Sequence, residues 1–342
     1  MNTVGVAVIG CGYWGPNLIR NFKALPNCHV KWACDVNEQR LEHIRQLYSG
    51  TQTTSNIGRV IDDPEVDAVA IATPVSTHYD FARRSLLGGK HTFIEKPMTR
   101  SVRECKNLID LAERSSLALM IGHTFVYTPA VRKMKEIIAS GEIGEVLYIS
   151  AQRLNLGLFQ KDINVAWDLA PHDISIILYL LEEKPKSVNC QGKAHGAAGI
   201  EAVTNMSIKF DKGSFATIQS SWLDPNKIRL MTVVGSEKMI VYDDTEPLEK
   251  IKIYDKRVEM PRHYDTFGDF FYSYHYGGTY SPFIEQGEPL KVECGHFVEA
   301  VANNGNGAKC FSSGQDGLEV VKILEMSSAS LARGGATVHI SD

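Results

Sequence analysis

The chain has 342 residues, 44% of them apolar, and sets 36 Lys plus Arg against 40 Asp plus Glu for a formal net charge of -4. That length exceeds what one hydrophobic core ordinarily serves and points to two domains, while the lack of a basic stripe or acidic tail argues against nucleic acid as a partner. Seven cysteines without a Cys-x-x-Cys pair suit reduced thiols in a cytoplasmic protein better than a disulfide framework or a metal site. No basic segment precedes the first apolar run, and the most apolar helical stretch, Ile174–Leu181, is far too short for a bilayer. Neither export nor a membrane partner is therefore expected.

Val4–Ile9 reads as a buried parallel strand that runs into Gly10-Cys-Gly12-Tyr13-Trp14-Gly15, and Pro16 suits the first turn of a helix over Asn17–Leu25. Strand, G-x-G-x-x-G and helix form a dinucleotide fingerprint. Gly10 allows a tight turn, Gly12 lets backbone approach a pyrophosphate, Gly15 allows close packing, and the helix N-terminus favours the anion. Tyr13 and Trp14, inside the motif, are candidates for further cofactor contact. A second strand, Val30–Cys34, ends at Asp35, whose carboxylate would hold the adenosine ribose and repel a 2′-phosphate. The next arginine is Arg40, so NAD is expected in preference to NADP.

Glu38–Leu47 reads as a helix and Val66–Ala72 as a strand ending in Thr73-Pro74. Ligands of α/β sheets sit beyond strand carboxyl ends, which makes Thr73, Pro74 and His78 candidates for lining the cofactor's ribose and nicotinamide. After a helix over Tyr79–Leu87, the strand His91–Glu95 delivers Glu95-Lys96-Pro97. Lys96 is the first catalytic candidate, an ammonium at the mouth of a crevice, with Glu95 beside it. A helix over Val102–Ser115 and a strand over Leu117–Ile121 complete the strict alternation of a doubly wound Rossmann domain across residues 1–122.

The pattern then changes. Ala130–Ser140 is helical, and period-2 strands follow over Val146–Gln152, Ser187–Gly192, Val203–Phe210, Phe215–Ser221, Arg229–Val234 and Met239–Tyr242. Residues 123–342 therefore read as an α+β domain with a large, open, mostly antiparallel sheet. One helix, from about Asp168 to Leu181, interrupts it; two more, near Gly295–Asn303 and Asp316–Leu331, close the chain, the last packing back on the first domain. Asp168 and His172 are four apart and share a helix face, where a carboxylate can orient an imidazole that takes a proton near neutral pH. A capping aspartate and an incidental histidine would give the same spacing, and Pro171 makes an irregular first turn expected.

Arg153, Asn155 and Lys161 precede this helix as candidates for substrate phosphates, and Trp167 as a further substrate contact. His263–Phe283 holds nine Phe or Tyr in 21 residues, interrupted by Gly268, Gly277, Gly278 and Pro282. Glycines and proline break any strand or helix period, so the rings are expected on a loop or a sheet face. There they would serve an oligomer interface or a stacking platform, the interface slightly ahead. A homo-oligomer, dimer or tetramer, through the C-terminal sheet follows as an expectation.

Together, the glycine motif, Glu95-Lys96-Pro97 and Asp168-x-x-x-His172 resemble the Gfo/Idh/MocA family of oxidoreductases, and the resemblance extends to the closing stretch Asp316–Ser330. It implies a Rossmann domain joined to an open antiparallel sheet, and hydride transfer between NAD(P) and a carbohydrate or polyol hydroxyl. It also places Lys96 and the Asp168/His172 pair near the reacting carbon, with either Lys96 or His172 as the base. Asn164-Val-Ala-Trp167 stands where many members carry a glycine pair. Gly-Cys-Gly-Tyr-Trp-Gly-Pro-Asn-Leu and Trp-Asp-Leu-Ala-Pro-His-Asp are most similar to members acting on nucleotide sugars, such as UDP-N-acetylglucosamine 3-dehydrogenases. An inositol or free-sugar dehydrogenase and a non-catalytic NAD-binding sensor are the other readings.

Overall fold

Short runs rich in Val, Ile and Ala form the first sheet of the computed structural model, which describes residues 3–160, 162–195, 199–259, 273–303 and 311–340. The strands β1 (Val4–Ile9), β2 (Cys28–Cys34), β3 (Gln52–Thr54), β4 (Ala68–Ile71), β5 (His91–Glu95) and β6 (Leu119–Gly122) align in the order β3-β2-β1-β4-β5-β6. Every pairing is parallel. In β1, β4 and β5 every residue is buried, as strands covered on both faces require. The helices between them are α1 (Gly15–Lys23), α2 (Glu38–Leu47), α3 (Ile57–Ile61), α4 (His78–Leu87) and α5 (Val102–Arg114). Strand order reverses at β1, which has β2 on one side and β4 on the other, so a crevice opens beyond their carboxyl ends.

The second sheet is larger. Its strands are β7 (Val146–Leu156), β8 (Pro185–Ala194), β9 (Glu201–Phe210), β10 (Phe215–Ser221), β11 (Leu223–Gly235), β12 (Met239–Asp243), β13 (Ile251–Glu259), β14 (Ser273–Tyr280) and β15 (Val338–His339). They align as β14-β13-β12-β11-β7-β10-β9-β8-β15, antiparallel except where β7 meets β10. Along β9 and β10 buried residues alternate with less buried ones, so one face makes a core. Two helices belong with this sheet, α6 (Pro129–Ala139) and α7 (Val165–Leu181). The second packs on β7, β9 and β10, and its Val165, Ala166, Ala170, Ile174, Ile176, Ile177 and Leu180 are buried.

The chain divides into Met1–Tyr127 with Gly287–Glu325, and Thr128–Gln286 with Met326–Asp342. The closing helices are α8 (Pro289–Ala302) and α9 (Gly314–Ala332). In the first unit α8 sets Phe297 against Phe22 of α1 and Phe93 of β5, with ring centroids 6.3 Å and 5.6 Å apart. The first half of α9 belongs to that unit and its end to the other.

Several elements exceed what the pattern predicts. β3 and α3 have three and five residues, too few for a period to register. In the aromatic-rich segment, Tyr264, Phe267, Phe270, Phe271 and Tyr272 lie outside the described residues. The rest includes β14, a strand despite Gly277 and Gly278. A Cβ on Gly277 would lie 2.1 Å from Asp255 Oδ2 on the neighbouring strand, so this glycine admits a cross-strand side chain instead of ending the strand. Cys11, Cys28, Cys34, Cys105, Cys190 and Cys294 are buried free thiols. Among the described residues, no helix is long and apolar enough to cross a membrane.

Candidate active site

The turn after β1 is built around three absent side chains. Gly10 has φ of +94°, and a Cβ there would sit 2.5 Å from the Ala72 carbonyl oxygen. A Cβ on Gly15 would lie 2.0 Å from the Gly10 oxygen, so α1 packs directly on the turn. A Cβ on Gly12 would meet only the Arg40 guanidinium, with Nη1 at 3.8 Å, an ordinary contact. The first turn of α1 has no side-chain cap and no acidic residue, which leaves its N–H groups and positive dipole end to an anion. These features fit a dinucleotide pyrophosphate. Tyr13 is 84% exposed and meets Trp14 edge-on at 5.6 Å.

Asp35 is buried and holds the turn from the side. Its Oδ2 accepts from Cys11 N at 2.7 Å and its Oδ1 from Asn37 N at 2.8 Å, with Arg40 Nη1 at 3.4 Å from Oδ2. Oδ2 thus serves two donors and Oδ1 one, which leaves a lone pair on Oδ1 for a ribose hydroxyl.

Beyond β4 and β5 the loops are joined by His78, whose ring nitrogens lie 2.9 Å from the Pro97 oxygen and 2.8 Å from the Thr73 oxygen. Burial pushes its pKa down, although both carbonyls favour the imidazolium, and a neutral ring has one N–H for two acceptors. The buried His78 therefore braces the loop carrying Lys96, whose peptide bond to Pro97 is cis. Thr73 is half-buried beside Thr77, Pro74 is exposed, and Lys96 is half-buried at the end of β5.

A cluster of buried titratable groups adjoins Lys96. Burial raises Glu95 to about 7, against the lowering effect of Lys96. Burial also lifts Glu293 well above the carboxylate range, the neighbouring Glu95 adding to the rise. His123 falls to about 3, first through burial and then through Lys96. Thr124 Oγ1 donates to Glu293 Oε2 at 2.6 Å, while Glu95 Oε1, Glu293 Oε1 and both His123 ring nitrogens have no hydrogen-bond partner among the described residues. Sequence reasoning missed two of these residues. His123 follows a strand end and was open to the rule that found Lys96; Glu293 lies within a mostly apolar helix and gives no local signal.

In the second unit, the cap of α7 is Asn164, which accepts from Trp167 N at 3.2 Å, so the helix starts earlier than expected and Asp168 lies within its first turn, not at the cap. Pro171 lies inside the helix, where it leaves the Trp167 carbonyl without the usual i+4 donor. Asp168 and His172 are both half-buried on α7. Asp168 Oδ2 accepts from Trp222 Nε1 at 3.0 Å, a partner 54 residues away, between β10 and β11, that spacing alone cannot reveal. Trp167 directs its indole N–H to Ser328 Oγ at 2.8 Å. Asn155 is half-buried on β7, and Lys161 lies outside the described residues.

Arg153 requires a correction. Expected to meet substrate phosphates, it is 6% exposed and donates through Nε and Nη2 to the two oxygens of Asp173, both at 2.9 Å. A guanidinium in a buried bidentate pair ties β7 to α7 instead. Among the described residues, no group of three or more His, Cys, Asp or Glu side chains is placed to hold a metal ion.

Residues 4–123 match the oxidoreductase family with an NAD-binding Rossmann fold termed GFO_IDH_MocA, and residues 131–241 match the GFO/IDH/MocA C-terminal domain. The chain belongs to the Gfo/Idh/MocA family. It is an NAD-binding oxidoreductase. Among its relatives, the scyllo-inositol 2-dehydrogenase (NAD(+)) of Bacillus subtilis is 26% identical over 88% of this chain and 86% of that protein. The UDP-N-acetylglucosamine 3-dehydrogenase of Acidithiobacillus ferrooxidans is 32% identical over 56% of this chain and 53% of that one. A solved structure of the latter enzyme, GnnA, has a TM-score of 0.80 at 23% identity, covering 98% of this chain and 99% of that chain. At that identity the likeness establishes the shared Gfo/Idh/MocA fold.

Proposed function

We propose that this family member is an NAD-dependent dehydrogenase of a sugar ring hydroxyl, with a nucleotide sugar as substrate and C3 as the reacting carbon. The observation that carries the reading is Lys96, a half-buried cation at a strand end of a dinucleotide-binding sheet, with the buried Glu95 and His123 beside it. Gly10, Gly12, Gly15, the first turn of α1 and Asp35 would hold NAD, with Thr73 and Glu95 near its nicotinamide half. When bound, NAD supplies the hydride acceptor. Lys96 polarises the substrate oxygen and stabilises alkoxide character as the C–H bond breaks. His172 takes the hydroxyl proton, and Asp168 keeps its ring oriented.

The nucleotide-sugar choice rests on the wording of the glycine and Asp168–His172 motifs, and the identity to a UDP-N-acetylglucosamine 3-dehydrogenase supports it. The inositol alternative draws on the scyllo-inositol relative, which aligns over more of the chain. A panel of UDP-sugars, scyllo-inositol and glucose, read by NAD reduction with UDP as competitor, separates them. Turnover of UDP-N-acetylglucosamine with inhibition by UDP is expected; turnover of free inositol or glucose without such inhibition would replace the nucleotide-sugar reading. We also assign the protein to the cytoplasm as a homo-oligomer, with the exposed Tyr274, Tyr276 and Tyr280 of β14 as interface candidates.

A further inference from the structure

Trp222 stands between β10 and β11 and is among the largest fully buried side chains, at 1% exposure. Its backbone is held from both sides, since its N–H donates to Ala202 O at 2.9 Å and its carbonyl accepts from Gly157 N at 3.1 Å. Val165 and Ala202 pack with the indole, Leu169 and Ile200 flank it, and the Phe159 ring lies 5.4 Å away. A Cβ on Gly157 would come within 2.9 Å of Trp222 Cδ1, the carbon bonded to Nε1, so the glycine keeps that edge of the ring clear. The indole therefore has one place to be.

Its single N–H points at Asp168 Oδ2, 3.0 Å away. A buried indole N–H needs an acceptor, and a half-buried carboxylate gains orientation from a fixed donor. Committing one oxygen to Trp222 sets the plane of the carboxylate and hence the direction of the other oxygen, on the helix face shared with His172 one turn later. We infer that Trp222 is a positioning residue for proton transfer, holding Asp168 in the orientation that supports the His172 imidazolium. The inference rests on the proposed Asp168/His172 pair and adds the residue that aims it. Packing alone explains why the ring is buried, but any apolar residue of that size would serve. Only the N–H requires tryptophan.

The test needs no substrate. The His172 ring is followed by NMR titration of the full-length, histidine-labelled protein, its signal assigned by His172→Asn. Asp168→Asn is expected to lower the His172 midpoint by removing the carboxylate charge. Trp222→Phe, which keeps a ring and removes the donor, is expected to lower it in the same direction by at least about half a pH unit, the scale on which a displaced charge acts. Trp222→Phe should add nothing in the Asp168→Asn background, and Phe159→Leu, which loosens the packing and spares the N–H, should leave the midpoint in place. If Trp222→Phe does not fold, benzothienylalanine at position 222 replaces N–H by sulfur at nearly constant shape and carries the same expectation. A midpoint that responds to Asp168→Asn but not to loss of the N–H overturns the role of Trp222 and leaves the catalytic pair standing. A midpoint indifferent to Asp168→Asn removes the pair, and the inference with it.

Discussion

Lys96, half-buried at the end of β5, is the residue on which the proposed chemistry depends. Lys96→Ala should lower turnover at least about 100-fold, the lower range for acid–base groups, while NAD still binds. Steady-state kinetics with cofactor titration of the variant check this, and near-normal turnover would remove Lys96 from the mechanism. The buried titratable groups beside it make a second prediction. Glu95, raised from 4.5 to about 7, contributes stability that is fully present below pH 4.5 and is lost as pH rises through 7. His123, lowered from 6.5 to about 3, works the other way: its contribution is present above pH 6.5 and disappears as pH falls through 3. Glu95→Gln should therefore gain on the wild type in urea denaturation as pH rises from 4.5 to 7. A stability difference constant across that window would show that Glu95 does not carry a raised pKa. Asp35 gives a third. Arg40 already lies 3.4 Å from it, so Asp35→Ser should shift cofactor preference toward NADP without any added arginine. A wild type that binds NADP more tightly than NAD would contradict the role given to Asp35.

Among the elements, those with a complete local signal were legible and those set by distant partners were not. β1 and α2 occupy the residues that the apolar run and the periodicity indicated. The start of α7 was misplaced because Asp168 resembles a cap, whereas Asn164 binds the Trp167 N–H and leaves Asp168 for Trp222. Gly277 looked like a strand breaker because the room it makes for Asp255 belongs to a neighbouring strand. Arg153 misled for a related reason: an arginine near a suspected active site reads as a phosphate ligand until the carboxylate 20 residues away is placed against it. Its role then changes from recognition to holding β7 on α7. Arg153→Ala should cost about 3–5 kcal/mol of folding stability, as expected when one partner of a buried ion pair is removed. Chemical denaturation measures the loss, and a fully stable variant with weakened UDP binding would restore the phosphate role.

For the whole molecule, the fold class and family were readable from three short motifs, because each combines unusual residue types with a strand or helix end. The return of residues 287–325 to the first unit was less visible, since a helix such as α8 is apolar wherever it packs. Substrate identity was the least legible, because it depends on side chains gathered from several strands and loops, and Arg153 shows how one such assignment fails. The central claim is that Lys96 serves an NAD-dependent oxidation of a sugar hydroxyl. Its most direct test is NADH formation with UDP-N-acetylglucosamine, measured side by side for the wild type and Lys96→Ala at saturating NAD. The account predicts steady NADH formation by the wild type and at least about a 100-fold loss in the variant with NAD affinity retained. Equal rates in the two proteins, or NAD binding with no reduction by any sugar or polyol in the panel, would contradict it.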